Sequence, residues 1–322
     1  MFSMSEIKVE ALYEYPIKSC AGVQRSVTQI NERGLGLDRH FMLIDENYQM
    51  ISQRTEPRLA LVQPNILEAD SDGNVLMEVS APGVEPTEIL HAPESYSYAA
   101  VNAGLHGNKV SGLCVDDPAV EWFHSYLGRK VELIAVPSFP LGGYSADGFS
   151  QFRQIKDRYQ QVGASNVTGF ADAFSMSLAS HPSLDEFNRT ITDEIGGTAV
   201  SMNRFRPNIV VSGEDLEPYD EDFWRRIQVG KMIAYVVRPF KRCAIPYVDQ
   251  KTGVQNANKT VGKALAMTRR GRDTTKPNDD GKGVYLAQSL NHVYEEGTYL
   301  REGDEVVILD RSRERNVELR TK

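Results

Sequence analysis

Cysteine is scarce in this 322-residue chain, which carries only Cys20, Cys114 and Cys243. They form no Cys-x-x-Cys pair, so neither a disulfide framework nor a four-thiolate iron–sulfur cluster is expected in this chain. Free thiols fit a reducing, cytoplasmic location. Long apolar runs are missing as well. No stretch approaches the ~18 apolar residues of a membrane span, and the opening MFSMSEIKVE has no apolar signal core, so no membrane association is expected. The six histidines are scattered without a His-x-x-x-His pair, which argues against a dedicated zinc site. Gly34-Leu35-Gly36 lacks the third glycine of a dinucleotide loop, and neither G-x-x-x-x-G-K-[ST] nor G-x-S-x-G occurs. Positive charge is not in excess either. The 36 basic residues against 44 acidic ones give a formal charge of −8, which excludes a global attraction to a nucleic-acid polymer.

What is present is ordinary globular material: 41% hydrophobic and 25% charged residues, in a length that suits two domains. The first part reads as short strands, among them Ile7–Tyr15, Phe41–Ile44, Asn65–Glu68 and Val75–Val79. They are separated by turn signals such as Asp70-Ser71-Asp72-Gly73, a spacing that predicts an antiparallel β domain over residues 5–136. Asp116-Asp117-Pro118 opens a helix carrying Val120, Phe123 and Leu127 on one face, stopped by Gly128 and followed by a strand Val131–Val136. Residues 137–168 lack apolar periodicity and read as a connecting loop. The second domain, residues 169–313, opens with a strand Phe174–Leu178. A helix start follows in which Ser183 and Glu186 have capping-box spacing. Pro207–Val211, Met232–Val237 and Glu305–Leu309 read as later strands, and Thr268–Gly283 as a polar, arginine-rich loop, either solvated or facing an anion.

Four segments carry chemistry. In Tyr15–Cys20, Lys18 offers a mobile charge and Ser19 a hydroxyl, a pair suited to phosphate. In Gly34–Phe41, Arg39 offers a planar fork for the same anion, and Gln53–Arg58 adds two more guanidiniums. Asn203–Val211 presents arginines and amides ahead of an apolar strand. Finally, Cys243 follows Arg238-Pro239-Phe240-Lys241-Arg242, where basic neighbours favour the thiolate, the form that attacks and binds soft metals. Taken singly, each is more simply a solvated strand end, a surface Asp–Arg pair, a capped loop or a core thiol.

Taken in order, YPIKSC, GLDRHFMLID, QRTEPRLALV, NRFRPNIVVSG and RPFKRCAIPYVDQKTG resemble the signatures of the MOSC family, the molybdenum cofactor sulfurase C-terminal domain, with its N-terminal β-barrel partner domain. The resemblance runs from about Val9 to the end of the chain. It implies a mostly β (α+β) fold, an antiparallel N-terminal β domain followed by a β-barrel domain with peripheral helices. It also implies a molybdenum cofactor between the two: Lys18, Ser19 and Arg39 on its phosphate, Ser180, Asn203, Arg206 and Asn208 on the rest, Cys243 on the metal and Asp249 near the substrate. His181-Pro182 departs from the acidic and small residues usual beside Ser180. The expected activity is reduction of N-hydroxylated small molecules such as amidoximes. Because the chain has no four-cysteine cluster, electrons would come from a separate ferredoxin-, flavoprotein- or cytochrome-type protein. The alternatives are a cofactor or sulfur carrier with a persulfide on Cys243, and a β-rich binding module in which Cys243 is structural.

Overall fold

A computed structural model describes residues 6–69, 74–91, 100–115, 118–136, 153–255, 259–276 and 278–319. The chain is mostly β, as expected. The N-terminal lobe holds a four-stranded antiparallel sheet in the order Phe41–Ile44, Glu132–Ala135, Asn108–Cys114, Ala100–Leu105. Beside it lies a three-stranded meander, Gln63–Ala69, Val75–Ala81 and Val84–His91. Helix α1 (Ala119–Leu127) covers this lobe's core, burying Phe123 and Leu127 against Leu43, Val79 and Leu133. Gly128 ends it with φ +67, a conformation that a Cβ disfavours. The Asp116-Asp117 start and the Asp70–Gly73 turn lie outside the described residues.

The C-terminal lobe is built on a larger sheet, ten strands among the described residues. Its main path runs from Val23–Arg25 through Lys8–Glu14, Ile209–Ser212, Met176–Ser180, Gly283–His292, Met232–Lys241 and Trp224–Val229 to Val306–Arg311. No ladder joins the two ends of this path among the described residues, although the isolated bridge Lys8↔Glu305 and the bond from the Val306 amide to the Ile7 carbonyl tie Lys8–Glu14 to the start of the last strand. Its second strand is Lys8–Glu14, which pairs antiparallel with Ile209–Ser212 from Lys8↔Ser212 to Leu12↔Ile209, with a register shift between Val9 and Ala11. Val27–Asn31 likewise pairs with Tyr299–Arg301. Residues 8–31 therefore stitch the two lobes together, and Leu12 and Ile30 bury in the second lobe's core with Leu178, Ile209, Trp224 and Leu290. Helices α2 (His181–Arg189) and α3 (Thr260–Thr268) close a third cluster around Phe187, Phe205, Leu265 and Leu286.

Several expectations need correction. Helix α2 begins at His181, with Ser180 as its cap accepting from the Ser183 amide at 3.3 Å, three residues before the expected Ser183 start. The opening strand of this lobe is Met176–Ser180, which leaves Phe174 on the preceding loop. The expected polar loop Thr268–Gly283 contains a strand, Arg270–Asp273, paired with both Gly283–Val284 and Val317–Leu319. Arg269 faces no anion in solution. It is fully buried and held by the Asp222 carboxylate at 3.0 Å. Within the expected connecting loop, 137–152 lie outside the described residues. The rest is ordered by a short ladder, Arg153–Gln154 against Val167–Thr168, and a turn at Asp157–Tyr159.

Candidate functional site

The segments that looked reactive in sequence arrive at one cavity between the lobes. It is lined by Lys18, Ser19 and Arg39 from the first lobe and by Arg206, Asn208, Arg242 and Cys243 from the second. Its open centre holds about 60 Å³.

Lys18 and Ser19 sit where the first strand has ended. Tyr15, Ile17 and Cys20 of the same segment bury in the core, so the intervening polar pair is turned toward the cavity. Ser19 adopts φ +71, Arg39 φ +47 and Arg206 φ +52. Three non-glycine residues in the left-handed region around one cavity hold backbone strain of order 1–3 kcal/mol each, which the surrounding packing must sustain. Gln53, fully buried, supports Ser19 by donating to its carbonyl at 2.7 Å, and it pairs reciprocally with Gln250 of the second lobe.

Arg39 and Asn208 form a frame. Asp38 binds Arg39 Nη1 through both oxygens at 2.7 Å and accepts from the Tyr15 amide. Arg39 also donates to Asn208 Oδ1 at 3.1 Å and to the Arg206 carbonyl at 3.3 Å. Asn208 takes the Ser177 amide on its oxygen and gives its nitrogen to the Tyr13 carbonyl, so its amide is spent on joining strands. The Arg39 and Arg206 guanidiniums each lie 4.2 Å from the centroid of the Tyr15 ring, which fixes both planes.

Charge is concentrated here. Lys18, Arg39, Arg206 and Arg242 line the cavity with one carboxylate, Asp172. Burial lowers Arg206 and Arg242 to about 10 each, still protonated at neutral pH. Arg242 gives Nη2 to the Phe205 carbonyl at 2.7 Å, while its Nε and Nη1, closed from solvent, meet no acceptor among the described residues. Buried guanidinium donors left unmet mark a place where an anion or a ligand acceptor belongs.

Sequence reasoning missed two groups. Asp172, on the loop before Met176–Ser180, contacts Lys18 Nζ, which also donates to the Phe170 carbonyl at 2.7 Å. Burial works to raise the Asp172 carboxyl, but Lys18 and His106 outweigh it and hold it well below the usual range. His106, at the tip of the hairpin joining Ala100–Leu105 to Asn108–Cys114, reaches across to Asp172 at 2.9 Å. Its Nδ1 lies 2.7 Å from Arg54 Nη2. Arginine can only donate, so Nδ1 accepts and Nε2 carries the hydrogen shared with Asp172. Neither residue stood in a recognisable string, and their meeting depends on tertiary structure alone. Of the Gln53–Arg58 guanidiniums, Arg54 thus serves the cavity mouth. Arg58 instead donates to the Tyr126 and Leu127 carbonyls at the end of α1.

Three expected site residues do not line the cavity. Ser180 is fully buried at the α2 cap, with its hydroxyl 3.0 Å from Glu221 and 2.6 Å from Ser183. Asn203 is exposed and accepts from Ser201. Asp249 pairs with Arg204 and accepts from the Lys251 and Thr252 amides at 2.9 and 3.0 Å, which makes it the anchor of a turn.

Cys243 follows the strand Met232–Lys241 on a half-buried loop facing the cavity. Cys20 differs: burial pushes its thiol up to about 12, and it packs as an apolar side chain. No group of three or more His, Cys, Asp or Glu able to hold a metal occurs among the described residues. A metal on Cys243 would have to bring its other ligands with it. No helix among the described residues is long and apolar enough to cross a membrane.

Residues 6–130 match the MOSC N-terminal beta barrel domain and residues 166–307 the MOSC domain. Mitochondrial amidoxime reducing component 2 of Rattus norvegicus is 30% identical over 76% of this chain and 68% of that protein. Mitochondrial amidoxime-reducing component 1 of Mus musculus is 26% identical over 77% of this chain and 67% of that one. Molybdenum cofactor sulfurase of Homo sapiens is 28% identical over 86% of this chain, which spans only 30% of the sulfurase. The two domain matches meet at the cavity just described, and the chain belongs to the MOSC domain family.

Proposed function

We propose that the cavity binds a molybdenum cofactor with Cys243 as the protein's ligand to the metal, and that the chain reduces N-hydroxylated compounds. The observation that carries this reading is the convergence of Lys18, Ser19, Arg206, Arg242 and Cys243, from both lobes, on one enclosed space. The residues fit such a group on two counts. Arg242 presents buried donors that meet no acceptor among the described residues, and Cys243 is the one thiol in the cavity's lining, suited to a metal already held by sulfur. When bound, the cofactor supplies the two-electron chemistry that cleavage of an N–O bond requires.

The chain's own residues then have separable roles. Cys243 would hold the metal from the strand-end loop, and Arg242 beside it would offer positive charge to the bound group. Lys18, Ser19 and Arg206 take the anionic end, with Arg206 held flat by Tyr15. Reduction of an N–O bond consumes two protons and releases water. His106 Nε2 and Asp172 hold a proton between them at the cavity mouth. Electrons come from a separate protein of ferredoxin, flavoprotein or cytochrome type. The opening of about 60 Å³ falls below the ~300–1,000 Å³ of usual ligand sites, and we expect loading to part Asp172 from Lys18, since both line the opening.

Protein from a cofactor-competent host, supplied with a chemical reductant, is expected to convert benzamidoxime to benzamidine. Failure of molybdenum-loaded protein to do so would end the reductase reading. The likeness to a molybdenum cofactor sulfurase supports a second one, delivery of sulfur or cofactor through a persulfide on Cys243. A persulfide found there by intact mass, in protein without molybdenum, would favour it.

A further inference from the structure

A second cavity of about 390 Å³ adjoins the first, and Asp172, Ala173 and Phe174 line both. Its composition departs from that of the molecule. The chain as a whole carries a charge of −8, whereas this cavity is lined by Lys109, Lys156, Arg158 and Arg238. Its one carboxylate, Asp172, is already engaged by Lys18 and His106. The nearby Asp157 carboxylate turns to Gln160 at 3.3 Å and is not part of the lining.

The floor is rigid. Tyr159 and Phe174 are buried, 5.5 Å apart between ring centroids, and Arg238 lies over both, donating to the Tyr159 hydroxyl at 3.2 Å. Arg238 is neutralised from behind by Asp273 at 3.3 Å. Lys109, Lys156 and Arg158 are exposed at the rim, and none has a carboxylate within ion-pair distance among the described residues. Arg158 lies 4.8 Å over the Tyr159 ring centroid. Three cations without a carboxylate partner among the described residues, around a concave, aromatic-floored space, suit a small anion better than a flat macromolecular partner.

We infer that this second cavity is a substrate subsite that receives an anionic substituent, a carboxylate or a phosphate, on an aromatic or heteroaromatic substrate whose N–O group enters the cavity of Cys243. The inference rests on the reductase reading, because it assigns the first cavity to the reacting end. The shared segment Asp172–Phe174 then separates the reacting end of the substrate from its charged end. Lys156 and Arg158 draw the charged end in and discriminate it from a neutral analogue.

The test compares 4-carboxybenzamidoxime with benzamidoxime on molybdenum-loaded protein, by calorimetric titration at low salt and by kcat/KM. Wild-type protein is expected to prefer the carboxylate by about 10-fold, a preference reduced to less than about 3-fold by 0.5 M salt or in a Lys156→Ala/Arg158→Ala variant. Both side chains are exposed, so the variant is expected to fold and to keep its activity on the neutral substrate. Equal affinity for the two probes in the wild type, or an undiminished preference in the variant, would overturn the subsite. A fall in the variant's molybdenum content would overturn it too, by giving these cations to the cofactor's own phosphate. Binding with the expected preference but no reduction of either probe would sink the reductase reading and leave the anion site standing.

Discussion

Ser19, Arg39 and Arg206 hold left-handed backbone at the cavity, where a relaxed chain would place glycine. Such strain persists because neighbours over-determine it: Gln53 on the Ser19 carbonyl, Asp38 on Arg39, and Tyr15 beneath both arginines. The contact between Lys18 and Asp172 leads to a direct expectation. Asp172 occupies with its own carboxylate the place an anion would take on Lys18. Asp172→Asn, which keeps the shape and removes the charge, should speed cofactor loading and improve retention, while Lys18→Ala should lower retention by about 10-fold or more. Molybdenum content after prolonged dialysis reads both, and equal content in the two variants would show that Lys18 takes no part. Lys18, Ser19, Arg39, Arg206 and Cys243 were legible in the sequence because they sit in continuous strings. Asp172 and His106 were not, since 66 residues separate them and only the hairpin tip brings them together.

At the scale of elements, helix α2 shows how a recognisable string can mislead. Ser183 and Glu186 have the right spacing for a cap, yet Ser180 does the capping, and both serine hydroxyls converge on Glu221. That carboxyl is fully buried, and burial followed by the charge of Asp222 raises it above its ordinary range. Ser180 therefore belongs to the frame of the second lobe. Ser180→Ala should cost about 2–3 kcal/mol, from the lost cap and a poorly satisfied buried carboxyl, with molybdenum content per folded chain unchanged. Urea unfolding alongside metal analysis would check this, and lost metal at unchanged stability would return Ser180 to the cofactor. Strands with plain alternation or short apolar runs, such as Phe41–Ile44 and Val75–Ala81, were readable from sequence. Gly283–His292 was not. It buries Gln288, Ser289, Asn291 and His292 with its apolar residues, so no period survives, and the Gln288 oxygen and the Asn291 amide nitrogen meet distant partners, Asn316 and the Tyr159 carbonyl.

At the scale of the whole molecule, the chain's beginning and end share a sheet, and His292 is one of the rivets. Its Nε2 donates to the Asn31 carbonyl at 2.8 Å and its Nδ1 lies 3.2 Å from Ser175. Burial lowers its pKa from 6.5 to about 4. Between those values the unfolded chain takes up a proton that the folded one refuses. His292 thus contributes its full stability above pH 6.5 and loses it as pH falls toward 4, by up to about 3 kcal/mol. His292→Gln should flatten the stability profile in that window, measured by denaturant unfolding at stepped pH. An unchanged slope would mean that other groups govern acid unfolding. The mostly β class was plain from strand density and turns. The exchange of strands between lobes was not, because local patterns carry no information about which sheet a strand joins.

Both lobes supply the cavity, so one molybdenum cofactor held between them with Cys243 on the metal would be a property of the assembled chain. Metal analysis of protein purified from a cofactor-competent host tests it most directly. The expected result is roughly one molybdenum atom per folded chain, sharply reduced by Cys243→Ala in the Lys18→Ala background, where thiolate and anion clamp are both gone. Wild-type protein that carries no molybdenum from such a host, or a double variant that keeps the full amount, would rule out a cofactor held by Cys243 and Lys18 in this cavity.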